Sequence, residues 1–191
     1  MSIFGLRKTW VDPGPGIAMV QVHWTTSPRG TPPDWSAADQ VVASGGPVRS
    51  AVLEVPRDDS LSLHHFFFVV TASDRTASPV FTEDIVAREV SYEDREGLCT
   101  SVGVVWSSRE VPNYTSAVMD GLPFAAFDSA PAAGDLYEFV RAQPLPHTFR
   151  GAVWGVAGDT VEYGYHLISN GRPDPSEDHE SWLADGRTLQ L

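Results

Sequence analysis

The amino-acid sequence predicts an all-β protein made of two tandem β-sandwich repeats packed together, with one short helix near the C-terminus. Three observations predict it. One strand phrase is written twice, as VQVHWTTSP (Val20 to Pro28) and VGVVWSSRE (Val102 to Glu110), with Trp24 and Trp106 82 residues apart. Both phrases alternate with period two, so Val20, Val22 and Trp24 share one face, as do Val102, Val104 and Trp106. Turn residues recur between β-rich runs, with 15 Pro and 16 Gly in the chain, a pattern that suits sandwiches and disfavours helical or βαβ folds.

Taken in order, the strand at Val20 to Trp24 ends at the turn SPRGTPPD, and further turns follow at SGGP (Ser44 to Pro47) and PRDDS (Pro56 to Ser60). The bulky run HFFFVV then leads into the hairpin ASDRTASPVFTEDI (Ala72 to Ile85). The first repeat is expected over residues 1–95 and the second over 96–191, split near EDREG. In the second repeat, VRAQPLPHTFRGAVWGV (Val140 to Val156) is matched to VPRDDSLSLHHFFFVV (Val55 to Val70), which pairs His147 with His64. AGDTVEYGYHLI (Ala157 to Ile168) is matched to the hairpin. Near the end, DPSEDHESWLADG reads as a helix: Asp174 caps, Pro175 takes the first position, Glu177 completes a capping box and Gly186 stops it. Short strands separated by these Pro- and Gly-rich turns make the sandwiches immunoglobulin-like. HFFFVV and FRGAVW carry large apolar groups on both faces, which predicts that the repeats pack on each other and leave a seam where a pocket would form.

Composition narrows the partners. Net charge is −12, from 25 acidic and 13 basic residues of which one is Lys, so neither nucleic acid nor an anionic membrane surface is expected as partner. A neutral sugar or an apolar small molecule fits better. No apolar stretch follows Arg7 and Lys8, so no secretory signal is read, and the single Cys99 suits a reducing cytoplasm. Cys99 reads as a small buried side chain rather than a nucleophile.

Catalytic signatures are absent: there is no nucleophile elbow, P-loop, dinucleotide glycine loop or His-Glu-x-x-His, and one cysteine cannot make a thiolate zinc site. DPSEDHE lacks the Gly and oxygen spacing of a calcium loop. Neither metal nor cofactor is expected. His64 and His65 are adjacent and point to opposite faces of a strand; His23 and His166 lie opposite the apolar stripe. If the chain is an enzyme, His65, His166, Glu162 and Asp84 are the acid/base candidates, serving a small cyclase or isomerase that works on an apolar metabolite in the seam. A docking role through a sheet edge or apolar patch is the third reading. Trp24 and Trp106 read as core residues. Trp35 and Tyr114 instead fall in the polar stretches TPPDWSA and VPNYTSA, where an aromatic ring suits stacking on a ligand, and Trp154 lines the seam or shows outward.

The VHWTT phrase with the HHFFFVVTASDRTASPVF hairpin resembles starch- and glycogen-type carbohydrate-binding modules, over about 65 residues of each repeat. That resemblance implies stacking by Trp35 and Tyr114 and polar contacts from Asp74 and Asp159 at the hairpin tips. It departs from the family in lacking an Asn-rich tip. The leading expectation is therefore a non-catalytic binding protein for a neutral carbohydrate.

Overall fold

Among the described residues, strand follows strand with little else between. The computed structural model describes residues 2–11, 16–72, 75–120, 140–170, 178–182 and 187–191. Its strands are β1 (Ile3–Val11), β2 (Met19–Ser27), β3 (Asp39–Gly45), β4 (Val48–Pro56), β5 (Leu63–Thr71), β6 (Arg75–Ala77) and β7 (Phe81–Asp94). They continue with β8 (Ser101–Ser108), β9 (Val111–Met119), β10 (His147–Val156), β11 (Thr160–Asn170), β12 (Asp178–Trp182) and β13 (Arg187–Gln190). A 3-10 turn at Trp35–Ala37 and a helical turn at 140–142 are the helical pieces among the described residues. Among the described residues, hydrogen bonds join the 13 strands into one antiparallel sheet, in the order β1-β4-β3-β2-β5-β7-β10-β9-β8-β11-β12, with β6 on β5 and β13 on β11.

That order contains one plan twice. Residues 3–84 run β1-β4-β3-β2-β5 and end on β6 and the first part of β7; residues 85–190 run β7-β10-β9-β8-β11 and end on β12 and β13. Register repeats as well as order. Ile3↔Pro56 is repeated by Ile85↔Val156, Val20↔Ala43 by Val102↔Ala117, and Trp24↔Phe66 by Trp106↔Tyr163. Ser44↔Ser50 recurs as Val118↔Arg150, and Leu63↔Asp84 as Thr160↔Gln190. Register is set by which face is buried, and a slip of one residue would turn every apolar side chain outward. Two copies that keep it in every pair follow one buried pattern.

The second appearance of the phrase thus marks the same strand, β2 and β8, as expected. The later matches are corrected. β5 corresponds to β11 and β4 to β10, so His147 is not the counterpart of His64. The mismatch has a simple origin: β3 and β4 are joined by the two residues Gly46 and Pro47, whereas residues 120–146 separate β9 from β10. The plan changes copy inside β7, which pairs with β5 through Asp84 and with β10 from Ile85 onward. The C-terminal helix is corrected too. Asp178–Trp182 is a strand paired with β11, while Asp174, Pro175, Glu177 and Gly186 lie outside the described residues. Capping signals are local, and the open edge of β11 offers this segment a full set of non-local hydrogen bonds that outweighs them.

The described residues form two apolar clusters. Val20, Val22, Trp24, Ala43, Ala51, Leu53, Phe66, Phe68 and Val70 form one, from inward faces of β2 to β5, with Trp10 packed on Phe68 at 5.3 Å. The other gathers Val102, Val104, Trp106, Ala117, Met119, Phe149, Val153, Val161 and Tyr165, and takes Phe4, Leu6 and Val55 from β1 and β4. The halves therefore share a core. Their contact is close at Gly5, where a Cβ would come within 2.7 Å of Val111 Cγ1. Beside it the Asn113 carboxamide accepts from Gly5 N–H at 2.7 Å and donates to Gly5 C=O at 3.3 Å, standing in for a neighbouring strand.

Candidate functional site

A groove of about 550 Å³ opens on the outer face of β7, β9 and β10, walled on one side by Asp59 from the β4–β5 loop. It lies where the halves meet. Small residues make its floor: Ala152 pairs with Glu89 and Trp154 with Ala87, so one alanine from each strand leaves space between two large side chains. Trp154 closes one end. Its ring lies 6.3 Å from that of buried Phe4 on β1, and its carbonyl accepts a 2.8 Å hydrogen bond from Trp106 Nε1. The repeated core tryptophan of the second half thus fixes the backbone that presents Trp154.

Arg150 sits at the other end. Its Nε donates to both carboxylate oxygens of Asp120, at 2.9 and 3.1 Å, and its Nη1 donates to Glu89 Oε1 at 2.5 Å. Hydrogen bonds to Glu89 and then to Asp120 hold the guanidinium above its ordinary pKa. The lining carries two carboxylates, Glu89 and Asp59, to one cation, and Asp120 holds Arg150 from beside it. Thr115 and Ser116 of β9 add polar groups along the side. The β4–β5 loop is held in place by Arg57, whose backbone N–H donates to Ser2 C=O at 2.8 Å and whose Nη1 donates to Tyr114 C=O at 3.4 Å. The lining offers hydrogen-bond donors, acceptors and an indole, and brings neither histidine nor cysteine to the hydroxyls.

Of the expected site residues, only Trp154 lines this groove. Tyr114 is nearby on the outer face of β9, 48% exposed, lying over Gly103, where a Cβ would meet its ring at 2.3 Å. It also stands edge-on to His166 at 6.4 Å. Trp35 is in the other half, in the turn capped by Asp34, with its ring edge-on to Phe67 at 4.9 Å. Asp74 lies outside the described residues. Asp159 forms the β10–β11 turn with its carboxylate 3.1 Å from Arg109 Nε.

The four acid/base candidates do not converge. His65 and Asp84 belong to β5 and β7, whereas His166 and Glu162 belong to β11, with β10, β9 and β8 lying between β7 and β11 in the sheet order. Asp84 is in a surface ion pair with Arg29 at 3.3 Å, and Glu162 is exposed. His65 is buried between two hydroxyls, Ser27 Oγ at 2.9 Å from Nε2 and Thr82 Oγ1 at 3.0 Å from Nδ1. Ser27 Oγ spends its proton on Thr31 C=O at 3.0 Å, so it accepts from Nε2–H and is not activated as a nucleophile. Burial lowers the His65 pKa, which keeps the ring neutral. Burial, then the nearby Asp94, pushes the Cys99 thiol up to about 12, leaving it protonated. Among the described residues no group of three or more His, Cys, Asp or Glu side chains is placed to share a metal ion.

Sequence reasoning missed Arg150, Glu89, Asp120 and Asp59. Arg150 was visible as the one charge inside FRGAVW, but its partners come from β7 and from the end of β9, and only the strand pairing reveals them. Comparison with known protein families and with curated proteins gives no match for this chain.

Proposed function

We propose that the protein is a non-catalytic carbohydrate-binding protein whose site is the groove at Trp154. The observation that carries the reading is the pairing of an indole at one end with a charge-compensated Arg150 at the other. An indole face stacks on the C–H face of a sugar ring, while carboxylates and a planar guanidinium divide the donors and acceptors that hydroxyl groups require. Because Glu89 and Asp59 in the lining outnumber Arg150, which Asp120 also pairs, an anionic ligand would meet net repulsion and a neutral one would not. The chain-wide charge of −12 points the same way, away from nucleic acid and anionic membranes. An open groove also suits a polymer better than the enclosed apolar cavity that a cyclase or isomerase would need. The accompanying architecture is two immunoglobulin-like sandwiches in tandem, supported by the recurrence of one strand order and register. A reducing cytoplasm is the proposed compartment, on the strength of one unpaired cysteine.

Affinity electrophoresis in gels containing glycogen, soluble starch or xylan tests the function. Retardation in at least one gel, lost in Trp154→Ala, is the expected result. Free migration of the wild type in all three sinks the proposal.

A further inference from the structure

A second charged cluster lies at the junction of the halves, apart from the groove. Lys8 on β1 is 3% exposed, ion-pairs with Glu83 on β7 and stands 4.3 Å from the centroid of the Phe66 ring. Glu83 Oε1 also meets Arg109 Nη2 at 3.1 Å, and Arg109 Nε meets Asp159 Oδ2 at 3.1 Å. Lys8 and Glu83 belong to the first half; Arg109 and Asp159 are in the β8–β9 and β10–β11 turns of the second. Arg109 and Glu110 hold φ values of +51° and +63°, in a hairpin turn that ordinarily selects Gly or Asn. An arginine there is strained relative to glycine, and what it gains is reach to both carboxylates.

His64 is enclosed in this cluster. It sits across from Glu83 in the β5–β7 pair, is 0% exposed, and has no hydrogen-bond partner for Nδ1 or Nε2 among the described residues. Lys8 faces it from β1, Glu83 from β7 and Arg109 from the β8–β9 turn, with Asp159 reached through Arg109 and the neighbouring His65 on the opposite face of β5. A buried ring with two orphan nitrogens costs stability and is unexplained by packing alone.

We propose that this cluster is an acid-sensitive clasp between the halves: protonation of His64 sets a third cation beside Lys8 and Arg109, and the junction gives way. Burial first, then Lys8, His65 and Arg109, lowers the His64 pKa to about 3. The unfolded chain takes up the same proton near 6.5. The stability linked to His64 is therefore intact above pH 6.5 and is lost progressively as pH falls toward 3. Between pH 7.5 and 4.5 this shifts the folding equilibrium toward unfolding by about 100-fold. β1 carries Phe4 and Gly5 as well as Lys8, so release at Lys8 loosens the strand that backs Trp154.

Three measurements test the clasp. NMR titration of the wild type should show the His64 ring neutral in the folded protein down to pH 5; a ring titrating near 6.5 while folded overturns the proposal. His64→Leu breaks no hydrogen bond, so it should fold at pH 7.5 and, in urea unfolding, lose about 100-fold less stability than wild type on going to pH 4.5. An unchanged acid sensitivity in that variant also overturns the proposal, and if the variant fails to fold the ring titration decides. Hydrogen exchange at pH 5 should release the Gly5 amide before that of Val22; simultaneous release would mean global unfolding with no clasp.

Discussion

The two halves share strand order and register, yet they are built to different ends. Cut between Asp84 and Ile85, the first half has nine acidic and six basic side chains, net −3, and the second has sixteen and seven, net −9. The first cluster is filled from its own half, whereas the second is completed by Phe4, Leu6 and Val55 from its neighbour. Their outer faces differ as well. His23 stacks on Phe67 at 5.0 Å, and the positions in the same register of the second half are Val105 and Gly164. The first half thus covers its outer face with rings where the second leaves it lower and opens a groove next to it. One backbone plan can be held by two cores and given two surfaces, because the buried face fixes register and the other face is left to vary.

The largest effects should come from the repeated tryptophans, and they should be unequal. Trp106 is 1% exposed and donates to the Trp154 carbonyl; Trp24 is 9% exposed. Trp106→Ala should cost about 5 kcal/mol and Trp24→Ala about 3 kcal/mol, read by urea unfolding. Equal losses would mean that the shared core gives the second half no added dependence. Next in size is Lys8→Met, which leaves Glu83 partly buried without its ammonium partner and should cost about 3 kcal/mol. Adding Glu83→Leu should recover part of that loss, since an apolar pair replaces a desolvated ionic one.

Much of the plan was legible in the chain. Period-two alternation around Trp24 and Trp106 marked corresponding strands, since a strand with one buried face must alternate. The limits of each copy were not legible. β7 reads as one continuous strand over Phe81–Asp94, and nothing in its sequence says that its two ends pair with different neighbours. His64 and His147 resembled each other locally, while their equivalence depends on strand order. The groove was harder still. Trp154 stood out as a large residue on the outer face of its strand, but Glu89 is 61 residues from Arg150 and became its partner only through the β7–β10 register.

Asn113 gives a smaller and sharper contrast, because its position in the first half is Asp39. Asn113→Ala removes both hydrogen bonds to the Gly5 peptide and should cost about 2 kcal/mol, whereas exposed Asp39→Ala should change stability by less than about 0.5 kcal/mol. Urea denaturation of the two variants makes the comparison. A cost at Asp39 as large as that at Asn113 would show that the position matters to the strand pair and not to the junction.

The smallest effects concern the two rings outside the groove. Tyr114 precedes Thr115 and Ser116 and lies next to the groove, while Trp35 packs on Phe67 in the other half. If the site is confined to the second half, Tyr114→Ala should weaken retention by neutral glucan about threefold, near 0.6 kcal/mol, and Trp35→Ala should leave it unchanged. Both variants should fold normally, since neither ring belongs to a buried cluster. An equal loss in both would place a second platform on the first half, and two linked sites on one polymer would then bind by avidity. The outcome turns on whether the halves diverged in their ligand surfaces as they did in their charge, or kept one surface function through two different sets of rings.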